Sequence, residues 1–234
     1  MYISDIKDIY QKYQRKFPDI VYPELDEKNY IVSKRNSYFF RLLATDLYKG
    51  NVILYIDKSV FELEDSEIES ILFHEFTHIY DSVKFRDTKS ITDFKEIMSS
   101  YSEIHAQHIY LKSKVNFIKN LQLQNKIRIH KKEFTIQEYF ENRVRFVNEK
   151  GIFEFCNQSS KFFSNNLMLM YFIGDYMFIQ ETRVPISLNI KSPFKDEIMH
   201  IIKNYPSNPN NIVIAQEKIF SKYKEYRNSQ INRM

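Results

Sequence analysis

Tryptophan is absent from this 234-residue chain, cysteine occurs once, and glycine only three times. The lone Cys156 excludes an intrachain disulfide and any cysteine-based zinc site. Three glycines leave few places for tight hairpin turns, so a helix-rich fold is favoured over an all-β one. Long hydrophobic runs are also missing. The longest, Leu167 to Ile179, is broken by Gly174 and Asp175 and is too short to span a bilayer. It reads as a buried helix. The N-terminal residues, MYISDIKDIYQKYQRKF, lack the apolar core of a signal peptide. A soluble, cytoplasmic protein with no membrane partner is the expectation. A strong charge of either sign is lacking too. Thirty-four basic and 30 acidic residues leave a net +4, which makes no electrostatic case for nucleic acid. The basic stretch Lys126–Lys132 reads as a solvated linker between helices.

Hydrophobic residues at 43% and charged residues at 27% suit a globular domain with a sizeable core. The pattern along the chain predicts an α+β protein dominated by helices. Ile3, Ile6, Ile9, Tyr10 and Tyr13 share one face of a predicted helix over 2–16. Pro18 and Pro23 mark an irregular segment after it. Residues 37–44 and 51–57 are β-prone and separated by Asp46–Gly50, as a hairpin or as neighbouring strands. Ser66 and Glu69 have capping-box spacing and open a predicted helix over about 67–84. Thr92-Asp93 opens a longer one, to about 120. Thr135 and Glu138 form another capping box, with Gly151 placed to stop that helix. Further helices are predicted at about 163–181, 194–204 and 211–227.

The pattern that carries chemistry is His74-Glu75-Phe76-Thr77-His78. Residues four apart on a helix lie on one face, one above the other. Two imidazoles there can reach a single Zn²⁺ at about 2.0–2.1 Å. Glu75, beside the first ligand, is within reach of a water on the metal and is the right kind of group to take its proton. A catalytic zinc usually has three protein ligands and an open position. Glu103, on the next predicted helix and off its apolar stripe, is the expected third. Ala106, one turn later, would let that helix approach closely. Glu96, His105 and His108 compete with Glu103, though His108 sits on the apolar stripe and reads as a packed core histidine. His105 reads as a substrate-side or supporting group. Asp81, one turn past His78, could orient a ligand imidazole. Tyr80, Tyr101 and Tyr110 are candidate donors to an oxyanion. His130 and His200 carry no assigned role.

Residues 51–110 resemble the ImmA/IrrE-like zinc metallopeptidases of the wider gluzincin group. The likeness runs through the strand Asn51–Asp57, the helix bearing His74-Glu75-Phe76-Thr77-His78, and Glu103-Ile104-His105-Ala106-Gln107. His105 stands where that family has a second Glu, and Gln107 where it has Asn. The resemblance implies a zincin-like core with a small sheet beside the zinc helix. Residues 1–125 would form that core, and 126–234 a helical extension packed on it, or one continuous domain. It also implies strand addition of a peptide substrate, here on Asn51–Asp57. Family members tend to be intracellular bacterial or phage proteins, and some cleave a repressor-like regulator.

The expected function is therefore zinc-dependent endopeptidase action on a protein or peptide, with Glu75 as general base. The alternative is a non-catalytic binding or regulatory module on the same scaffold, motivated by the large helical half from Phe134 onward.

Overall fold

A computed structural model of the chain describes residues 5–33, 43–84, 94–115, 121–129, 131–149, 159–184, 195, 196 and 199. Over these residues the protein is α+β and mostly helical. Among the described residues no helix is long and apolar enough to cross a membrane. The helices expected at 194–204 and 211–227, the Gly151 stop, His130, His200 and Cys156 lie mostly or wholly outside them.

Helix α1 (Asp5–Lys16) buries Ile6, Ile9, Tyr10 and Tyr13, the stripe that its sequence presents every three or four residues. Strand β1 (Tyr30–Ser33) follows, then β2 (Leu43–Tyr48) and β3 (Asn51–Asp57). The order is β1-β3-β2, with β1 parallel and β2 antiparallel to β3. Tyr48 pairs with Asn51, which leaves a two-residue turn, Lys49-Gly50. Its φ angles are +49° and +81°, the doubly left-handed backbone whose twist matches a hairpin. Gly50 adopts that region at no steric cost. Of the first β-prone run, Leu43 and Ala44 lie in β2, which runs on to Tyr48 because this turn fixes where the hairpin closes; residues 37–42 lie outside the described ones. β1 was not foreseen. β3 alternates as a half-covered strand should: Val52, Leu54 and Ile56 are buried, while Asn51 and Tyr55 are exposed.

Helix α2 (Asp65–Lys84) packs against β2, with Leu72, Phe73 and Phe76 buried. It starts earlier than the capping-box spacing implies. The Glu64 carbonyl accepts the first helical bonds, from Glu67 and Ile68, so Ser66 already lies inside the helix. Glu69 pairs with Lys12 of α1 instead. α1 is pinned to α2 by a buried hydrogen bond between Tyr13 Oη and Thr77 Oγ1, 2.9 Å. Tyr13 also stacks edge-on against Phe73 and Phe76.

Helix α3 (Phe94–Val115) crosses α2, and Ala106 on it is fully buried. The basic stretch after it is no linker. It forms a hairpin of β4 (Lys126–Ile129) and β5 (Lys132–Thr135). Its charges pair across: Lys126 with Glu133, Arg128 with Glu64 and Lys131 with Glu62. Its basic side chains are exposed, as expected of a solvated stretch. Helix α4 (Ile136–Glu149) opens with the expected capping box: the Thr135 hydroxyl accepts from Glu138 N–H at 3.1 Å, and the Glu138 carboxylate accepts from Thr135 N–H at 2.8 Å.

Helix α5 (Ser159–Thr182) contains the expected apolar run, and Phe172, Ile173, Phe178 and Ile179 are buried. Gly174 sits against α3. A Cβ there would stand 2.6 Å from the Ile104 carbonyl oxygen and 2.9 Å from Gln107 Cβ. The helix propensity gained by Gly174→Ala is about 1 kcal/mol. Forcing two packed helices apart costs typically about 1–3 kcal/mol and sometimes more. The clash is with backbone, which cannot swing aside, so it wins. Gly174→Ala should lower the denaturant midpoint of unfolding, and an unchanged or raised midpoint would disprove the close approach.

Beside Gly174, the Asp175 side chain is fully buried and ties three helices together. It accepts from Gln107 Nε2 of α3 at 2.7 Å, and from Tyr139 Oη at 2.8 Å and Arg143 Nε at 3.0 Å of α4. Burial pushes its carboxyl above the usual carboxylate range, and these donors offset part of that rise.

Candidate metal centre

His74 and His78 project from successive turns of α2, four residues apart, and their Nε2 atoms converge to 3.3 Å. Glu103 of α3 closes the group. Its Oε2 lies 3.6 Å from His74 Nε2 and its Oε1 lies 3.8 Å from His78 Nε2. One ligand atom from each of the three falls within 4.8 Å of the others. Two ligand atoms held about 2.0–2.1 Å from one ion at a tetrahedral angle stand about 3.3–3.4 Å apart. The two nitrogens stand at that separation, and the carboxylate oxygens lie a few tenths of an ångström beyond it. All three side chains are mostly buried, at 10%, 18% and 6% exposure. Two imidazoles and a carboxylate so placed can hold a metal ion, and the donor set fits a borderline-soft divalent cation.

His78 has a partner that the sequence pattern did not reveal. Its Nδ1 lies 2.7 Å from Ser102 Oγ, on the residue before Glu103. In the tautomer that leaves Nε2 a lone pair, Nδ1–H donates to that hydroxyl and fixes the ring. Adjacent residues of α3 thus supply one member of the cluster and a hydrogen-bond partner for another.

Glu75 is almost fully buried, and strand β2 holds it. Thr45 N–H donates to Glu75 Oε2 at 3.0 Å. The Thr45 hydroxyl lies 3.1 Å from the Glu75 carbonyl oxygen and 3.3 Å from Oε2. Thr45 was not foreseen, since nothing in its neighbourhood marks it.

The other expected residues are scattered. Asp81 supports no ligand imidazole. It is buried and accepts from His105 Nδ1, 2.9 Å from Oδ1 and 3.1 Å from Oδ2. His105 is therefore oriented by Asp81 and is not part of the three-residue cluster. His108 is mostly buried, at 16% exposure, and its Nε2 lies 2.8 Å from Glu181 of α5. Burial lowers its pKa, and Glu181 partly restores it. Tyr80 bonds Asp19 and Lys84, away from the cluster. Tyr110 is buried with its ring 6.4 Å from that of His74. A tyrosine not foreseen, Tyr171 of α5, is half-buried with its ring 5.8 Å from His74, edge to face. Arg143 stacks over it, 5.8 Å from the ring centre. The side chains of Tyr101 and Glu96 lie outside the described ones.

The strand expected to receive a peptide, Asn51–Asp57, is flanked on both sides, by β1 and β2, so no further strand can add to it. Among the described residues β2 is the edge beside Glu75.

Comparison of the chain with protein-family models, with curated proteins and with solved structures finds no match. Its function has to be read from the site itself.

Proposed function

We propose that this chain is a zinc-dependent endopeptidase of the gluzincin kind, with His74, His78 and Glu103 as ligands and Glu75 as general base. The observation that carries this is the convergence of two imidazole nitrogens and a buried carboxylate to ligand spacing, with a second buried carboxylate, that of Glu75, next in sequence to His74 on α2. Zinc suits two imidazoles and one carboxylate, the set of several zinc hydrolases. A bound zinc would supply a Lewis acid that polarises a carbonyl and brings the pKa of a water towards about 7.

The chain's own groups do the rest. Glu75 removes a proton from the attacking water, whose oxygen bonds to the carbonyl carbon. The C–N bond then breaks, and Glu75 returns a proton to the leaving amine. Peptide plus water becomes an acid and an amine, with no other reactant. Tyr171 is the hydroxyl we assign to the carbonyl oxygen, because it lies beside His74 and is less buried than Tyr110. An extended, unstructured segment of a protein is the substrate that suits an edge strand such as β2. A repressor-like regulator with such a segment fits this description, in a cytoplasmic setting.

Purified protein should carry one zinc per chain by mass spectrometry and should cleave fluorescein-labelled casein. 1,10-Phenanthroline should stop the cleavage, and added zinc should restore it. Full cleavage in the presence of the chelator would end the reading.

A further inference from the structure

We propose that Thr45 is the positioning residue for Glu75, so that the edge strand and the proton-carrying carboxylate act as one unit. The inference rests on the reading of Glu75 as general base.

The hairpin geometry leads to it. In a hairpin closed by a two-residue turn, the residues flanking the turn exchange both main-chain hydrogen bonds, and the alternation continues away from it. Tyr48, Asp46 and Ala44 therefore bond to β3. Leu47, Thr45 and Leu43 turn their main-chain groups the other way. Thr45 N–H does so and ends on Glu75 Oε2 at 3.0 Å.

Three contacts then converge on one residue of α2. The amide holds Oε2, and the hydroxyl lies within hydrogen-bond distance of both Oε2 and the Glu75 main-chain oxygen. A glutamate has three rotatable bonds, and the last is broad. Only a second element can fix its carboxylate plane. Proton transfer needs the carboxylate within hydrogen-bond reach of its proton, so this hold bears on turnover more than on binding.

The test uses zinc-loaded full-length chain and fluorescein-labelled casein. Thr45→Val keeps the shape and the amide but removes the hydroxyl. Its kcat should fall about tenfold, a loss of about 1.4 kcal/mol, with KM within about twofold and zinc content unchanged. Thr45→Ser, which keeps the hydroxyl, should recover most of the rate. A hydroxyl that merely clips strand to helix would lower the melting temperature and leave kcat of the folded protein intact; that result would overturn the proposal. So would a Thr45→Ser variant as slow as Thr45→Val. If casein is left whole by the native chain, the peptidase reading falls, and amide exchange still decides the hold. Deuterium exchange at the Thr45 amide should be about tenfold faster in Glu75→Ala, the size of one lost hydrogen bond. Unchanged exchange would mean that Thr45 does not hold Glu75.

Discussion

Glu75→Gln should retain zinc and lose about 10²–10⁴-fold in the rate of casein cleavage, the usual contribution of a positioned general base. Glutamine has nearly the same size as glutamate. Its carbonyl oxygen can still accept from Thr45 N–H, so the local structure should survive. Only the capacity to take up a proton is lost. The proposed role places the effect in kcat, because a general base acts on water and leaving amine and not on the bound ground state. Equal metal content in the two proteins, by mass spectrometry, is the control that makes the comparison meaningful. Wild-type kcat in this variant would remove Glu75 from the chemistry and leave the proposed mechanism without its base.

The second large effect belongs to Glu103. It is the sole carboxylate in the three-residue cluster and reaches both imidazoles, at 3.6 Å and 3.8 Å. Glu103→Ala removes one of the three proposed ligands and the cluster's one carboxylate. Losing a group that only orients a ligand costs about 10–100-fold in metal affinity. That is the loss expected of Ser102→Ala, which frees the His78 ring. Glu103→Ala should exceed it, and competition against a chromophoric chelator measures both. Zinc affinity that falls more in Ser102→Ala than in Glu103→Ala would move the third ligand elsewhere.

What the sequence made legible is what repeats at short range. The four-residue spacing of His74 and His78 survives intact, because an α-helix dictates where residues four apart must lie. The Thr135–Glu138 capping box is read correctly for the same reason: both partners sit in one turn. Glu103 was reachable because it is the acid off the apolar stripe of the next helix. The Ser66–Glu69 spacing failed because Glu69 found Lys12 in α1, a partner 57 residues away. Thr45, Ser102, Tyr171 and the Arg143–Asp175 pair were missed because each draws its meaning from a residue on another element. Thirty residues separate Thr45 from Glu75, and no periodicity spans that gap. The Lys126–Lys132 stretch is solvated, as its charges suggest, but composition did not reveal that it folds as a hairpin. β3 read well as a strand, but its place in the middle of the sheet depends on β1 and β2 together.

The two-residue turn at Lys49-Gly50 reaches further than its size suggests. It sets the register in which β2 meets β3, and a one-residue slip of that register would carry Thr45 off Glu75. Every β2 side chain would then change face, and the amides of Ala44 and Asp46 would swap roles with that of Thr45. A loop at the far end of a hairpin thereby acts as the ruler for a carboxylate it never touches.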